Sequence, residues 1–105
     1  MTTKTLIVMA ETEIERAQYL VEQFVGQFEP SYLFLAYHAA LPLVLTPELV
    51  SYLRTQFLQG EVPWVAETDL LLSNLCRVVG YEQFVMDSDV RAYLIAGMRR
   101  EPLFG

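Results

Sequence analysis

Cysteine and histidine occur once each in the 105 residues, as Cys76 and His38, and lysine and arginine together only seven times. A single thiol excludes an intramolecular disulfide and fits a reducing cytoplasm. Its neighbours Leu75 and Val79 mark Cys76 as a buried thiol rather than a nucleophile. His38 has no carboxylate or cysteine near it in sequence, which makes it a packed or surface residue rather than a ligand or base. No glycine-rich phosphate loop is present. The acidic sets Glu11/Glu13/Glu15 and Asp87/Asp89 fall at expected helix starts, where they complement the helix dipole. No enzyme mechanism, metal site or cofactor follows from these residues.

Positive charge is scarce too. Thirteen acidic residues against seven basic ones give a net charge of −6, and nucleic-acid affinity rests on cations that neutralise phosphates. Long apolar runs are missing as well. The stretch from Pro30 to Pro47 is interrupted by His38 and Pro42 and falls short of the ~20 residues of a membrane span. Leu6 to Ala10 is shorter than the ~7-residue minimum of a signal-peptide core, and acidic residues follow at once.

What the chain has in excess is apolar surface. Hydrophobic residues make up 53% of the sequence, with a mean hydropathy of +0.29. In one domain of this size, either the core is large or some apolar surface awaits a partner.

Residues 1–11 read as a leader of uncertain structure: a lone strand, a first helical turn, or a frayed segment. Thr12 and Glu15 have capping-box spacing and predict a helix over 12–28, with Ile14, Ala17, Val21, Phe24 and Phe28 as its apolar stripe. Ser31 to Leu41 is apolar nearly all round and predicts a central helix ended by Pro42. Leu43 to Leu45 reads as a short strand. Thr46, Pro47 and Glu48 supply the N-cap, N1 and first-turn residues of the next helix, and Leu45 and Val50 its hydrophobic staple. Leu49, Val50, Leu53 and Phe57 should face inward, with Gly60 ending the element.

Pro63 to Cys76 reads as a further helix with Trp64, Leu71, Leu72 and Leu75 as candidate buried positions, and Glu67 and Asp69 in its N-terminal half. Arg77–Val79 and Phe84–Met86 predict a hairpin across Gly80 to Gln83. Asp87 or Ser88 then caps a last helix reaching about Met98. The expected domain is 12–98, and 99–105, with Leu103 and Phe104, reads as a tail or a truncated linker. The fold class is mainly α: about five helices with a small β-hairpin, arranged like a winged helix-turn-helix. The expected core comprises Phe24, Phe28, Leu35, Leu49 and Leu53, together with Leu71, Leu75 and Leu94.

The strings LAYHAALPLVLTPELVSYLR, VPWVAETDLLLSNLC and VGYEQFVMDSDVRAYL, with Val90, Arg91 and Tyr93 in the last helix, carry a resemblance. Over residues 12–98 the chain resembles winged-helix adaptor modules of large cyanobacterial multidomain proteins. In those proteins the module is joined to formylglycine-enzyme-like (C-type lectin), caspase-like, TIR or NTPase domains in conflict or signalling systems. The resemblance implies a non-enzymatic, effector-associated interaction module. Its partner would be another protein, a neighbouring domain of a longer chain, or a second copy of itself.

A DNA-binding winged helix would insert the start of its second motif helix into the major groove. Here that segment carries Glu67 and Asp69 and no cation, and the wing offers Glu82. Nucleic-acid binding through Arg77, Arg91, Arg99 and Arg100 is the alternative, as is a structural role inside a larger enzyme. The candidate docking residues are Trp64, Tyr81, Glu82 and Gln83, since Trp and Tyr join a large apolar face to one polar handle. The competing role for Trp64 is to close the core against Leu45 or Phe57.

Overall fold

The computed structural model describes the backbone of residues 2–100 and the side chains from residue 11 onward within that range. Its elements are α1 (Thr2–Gln27), α2 (Tyr32–Ala39), α3 (Pro47–Phe57), α4 (Ala66–Leu71), β1 (Cys76–Gly80), β2 (Gln83–Met86) and α5 (Ser88–Arg100). The mainly helical class with one antiparallel hairpin is thus the one the sequence predicts. Residues 101–105, and with them Leu103 and Phe104, lie outside the described residues.

No helix begins at Thr12. The backbone of α1 is continuous from Thr2, so the leader at 2–11 belongs to this helix. The reason is local: no proline or glycine interrupts residues 2–25, and a capping-box spacing inside an unbroken helix has no free N–H groups to satisfy. Ala17, Val21 and Phe24 of the predicted stripe are buried, whereas Ile14 and Phe28 lie toward its exposed edge. α1 packs along α5, and Arg16 fastens the two. Its guanidinium donates to Asp87 at 2.8 and 3.2 Å and to Asp89 at 3.3 Å.

Tyr32 and the run from Leu35 to Ala40 are buried, which places α2 at the centre of the core. Helices α3, α4 and α5 surround it. Thr46 caps α3 as predicted, its Oγ1 accepting from Leu49 N at 3.1 Å, with Pro47 in the first turn. Leu45 and Val50 are both buried. Leu49 and Leu53 are only half-buried, and Phe57 is exposed with its ring stacked 5.0 Å from the His38 imidazole.

The strand expected at Leu43–Leu45 contracts to one residue. Leu45 and Phe84 exchange both backbone hydrogen bonds, at 2.7 and 2.8 Å, as an isolated antiparallel bridge. Pro42 on one side and the cap of α3 at Thr46 on the other leave no length for a longer ladder. This bridge attaches the chain before α3 to the hairpin after α4.

The helix expected over Pro63–Cys76 is much shorter. Only Ala66–Leu71 is α-helical, and Cys76 already belongs to β1. Ser73 supplies the cause, since its Oγ donates to Leu70 O at 2.7 Å and accepts from Leu75 N at 3.1 Å. A serine that satisfies the backbone in this way replaces the next helical turn with a bend. Leu70, Leu71 and Leu75 are buried, whereas Leu72 falls outside and Trp64 is exposed.

In the hairpin, Cys76 pairs with Met86, Arg77 with Val85, Val78 with Phe84 and Gly80 with Gln83, leaving a bulge at Val79. Tyr81 and Glu82 form the turn, and Glu82 has φ +51°, in the left-handed region. Asp87 caps α5, its Oδ1 accepting from Asp89 N at 2.9 Å and Val90 N at 3.1 Å. Of the expected core, Phe24, Leu35, Leu71, Leu75 and Leu94 are buried; Leu49 packs at its margin, Leu53 is half-buried and Phe28 is exposed at its edge.

Candidate functional site

α4 has two unlike faces, and the side chains of its two acids decide which is which. Glu67 accepts from Arg54 Nε of α3, and the same guanidinium reaches Val62 O at 3.3 Å. Asp69 accepts a 2.8 Å hydrogen bond from the Tyr32 hydroxyl of α2. Burial, followed by this hydrogen bond, pushes the Tyr32 hydroxyl up to about 12. Glu67 is therefore paired to α3, and one oxygen of Asp69 to α2. Sequence reasoning placed them on a groove-facing surface, and it missed Arg54 and Tyr32 because both partners are remote in sequence.

The outer side of α4 and its flanks is apolar. Trp64 is 70% exposed and Leu72 72% exposed, with Val65 and Thr68 also open to solvent between them. At that exposure Trp64 does not close the core, and Leu45 is covered by other residues. Leu72 was expected inside, but its N–H still reaches Thr68 O at 3.0 Å, which sets it on the same outward face as exposed Thr68.

Tyr81 stands 90% exposed at the hairpin tip, beside the exposed side chains of Glu82 and Gln83. The fold thus brings Tyr81, Glu82 and Gln83 together in one turn. Trp64 belongs to a separate segment, the turn leading into α4, and α4 in turn packs on β1. Neither aromatic covers the other.

The arginines are spread rather than clustered. Arg16 is held by Asp87 and Asp89, and Arg54 by Glu67. Arg91 donates to Leu41 O at 3.1 Å. Arg77 lies exposed on β1, and Arg99 and Arg100 at the end of α5. His38 is buried, with Nδ1 2.9 Å from Phe34 O. Burial raises the Cys76 thiol to about 12, which disfavours the thiolate needed of a nucleophile. Among the described residues, no three His, Cys, Asp or Glu side chains converge as for a metal ion. None of the described helices is long and apolar enough to cross a membrane.

Several depressions mark the surface formed by the described residues, three of them as follows. A groove of about 600 Å³ runs between the C-terminal half of α1 and the α4–β1 connection. A second, of about 150 Å³, lies where Pro47, Leu71 and Phe84 meet. The third, of about 330 Å³, separates α1 from α2 and α5 and is lined by Val21, Val25, Leu33, Tyr37 and Tyr93. No family model, curated protein or solved structure matches the chain.

Proposed function

We propose that the chain is a non-enzymatic protein-interaction module of winged helix-turn-helix type, docking through Trp64, Tyr81 and the wing residues Glu82 and Gln83. The topology supports the type. Helix α2, the Leu45 bridge, helices α3 and α4, and then the β1–β2 hairpin follow in the order of a winged helix, with Leu45 adding a one-residue third strand beside β2.

One observation carries the docking reading: the outer side of the second motif helix and its flanks presents Trp64, Val65, Thr68 and Leu72, not cations. Exposed aromatic and aliphatic side chains gain most by burial against another protein. A nucleic-acid reader would need lysine or arginine there. The net charge of −6 adds to the same preference.

The cellular setting proposed with this is a cytoplasmic one, on the strength of the single cysteine. The adaptor role in a bacterial signalling or conflict system rests on the family resemblance. The partner is a separate protein, a neighbouring domain of a longer chain, or a second copy.

Single Trp64→Ala and Tyr81→Ala variants test the docking face in quantitative capture from the native host. Both variants should fold like the parent, since each side chain is largely outside the core, and both should lose the same captured protein. Capture unchanged in both would remove the face from consideration.

A further inference from the structure

A second surface is built quite differently from the Trp64 face. The groove between α1 and the α4–β1 connection, about 600 Å³, counts Leu20, Phe24, Phe28, Leu72 and Leu75 among its lining residues. The lining also carries uncharged amides, Gln23 and Gln27 from α1 and Asn74 from the α4–β1 connection. The one ionisable residue in its lining is Asp69.

Asp69 and Phe28 are placed to act together. The Phe28 ring stacks on Tyr32 with centroids 5.1 Å apart and meets Phe24 edge-on at 5.4 Å. It nevertheless stays 37% exposed and belongs to the lining of the groove. The Tyr32 hydroxyl occupies Asp69 Oδ2 at 2.8 Å, and the other carboxylate oxygen remains for a further donor. The charge of Glu29 also acts on Tyr32. No lysine or arginine lines the groove.

We infer that this groove binds an extended segment of a partner protein carrying an arginine or lysine between aliphatic residues. The basic head would lie against the open part of the Phe28 ring and donate to Asp69, joining a cation–π contact to a charge-assisted hydrogen bond. The aliphatic neighbours would cover Leu20 and Leu72. The amides of Gln27 and Asn74, together with the Gln23 carbonyl, offer hydrogen bonds to an extended backbone; the Gln23 nitrogen already donates to Tyr19. Charge complementarity selects the occupant: an acidic chain with a carboxylate as the groove's sole ionisable group attracts a cation. The inference does not rest on the Trp64 and Tyr81 face, although Leu72 borders both.

The test is a peptide-display selection on the intact chain, followed by anisotropy titration of one selected, synthesised and labelled peptide. Selected sequences should share a basic residue flanked by aliphatic ones. The peptide should bind about tenfold more weakly to Asp69→Asn, the scale of losing one charged hydrogen bond. Asparagine keeps an acceptor for Tyr32, and a matching thermal melt confirms the fold. Leu72→Ser, at an exposed position, should also weaken binding, whereas Trp64→Ala and Tyr81→Ala should leave it within about twofold. Selection without a basic signature, or binding indifferent to Asp69→Asn, overturns the inference. Equal affinity for free arginine methyl ester would also overturn it, by making the site one for small cations.

Discussion

Arg54 of α3 and Glu67 of α4 are joined by an ion pair whose side chains are each less than one-fifth exposed, and Arg54 also holds the carbonyl of Val62. The pair spans the loop that contains Gly60, whose φ of +85° turns the chain back. It fixes how α4 sits on α3, and therefore which side chains near α4 face solvent.

Breaking this pair from one side should be costly. Arg54→Ala leaves a largely buried carboxylate and a carbonyl with one donor fewer, a loss of about 1–3 kcal/mol in urea unfolding. Glu67→Gln keeps an acceptor and should cost less. A double variant no less stable than Arg54→Ala alone would show the two residues to be coupled.

Acid should loosen the junction of α1 and α5. The Arg16 hydrogen bond, helped by the backbone N–H groups of Val90 and Asp89 and opposed by partial burial, holds the Asp87 carboxyl below the usual range. A depressed folded-state pKa gives stability that is complete above the unfolded value, ~3.9, and lost as pH falls below it. Thermal melts across pH 5 to 2 should therefore show a loss that Asp87→Asn reduces. Asp87→Ala removes the cap as well and should cost about 1 kcal/mol at neutral pH.

Tyr32 acts in the opposite direction. With its folded pKa raised to about 12, the hydroxyl stabilises the fold fully below the ordinary tyrosine value, ~10, and less as pH climbs toward 12. Stability measured between pH 9 and 12 should fall, and Tyr32→Phe should flatten that fall. An unaltered slope would place the alkaline sensitivity elsewhere.

The hairpin tip offers a stability gain. Glu82 holds a left-handed backbone at φ +51°, a conformation that costs a non-glycine residue ~1 kcal/mol. Glu82→Gly should raise stability by several tenths to ~1 kcal/mol in chemical unfolding. A decrease would mean that the Glu82 side chain contributes more to the turn than its backbone strain removes.

Elements marked by adjacent residues were legible in the sequence. Thr46 with Pro47 announces α3, Asp87 announces α5, and Gly80 between two β-rich runs announces the hairpin. The misreadings came where local signals compete. A capping-box spacing at Thr12 lies inside an unbroken helix, and the hydroxyl of Ser73 ends α4 before its apolar pattern stops. The exposure of Tyr81 was anticipated from its position at a turn, whereas Trp64, read both as a buried position and as a docking residue, is exposed. The pairing of Glu67 with Arg54 and of Asp69 with Tyr32 was not anticipated, because the partners lie 13 and 37 positions away.

The central claim is that Trp64 and the wing tip meet another protein. The most direct measurement replaces Trp64 or Tyr81 in turn with a photo-crosslinking phenylalanine and irradiates cells of the native host. Exposed Glu13, on α1, serves as the control position. The account predicts one discrete adduct of the same protein from both positions and none from the control. Uncrosslinked chain at positions 64 and 81, or the same scatter of adducts at all three, would contradict it.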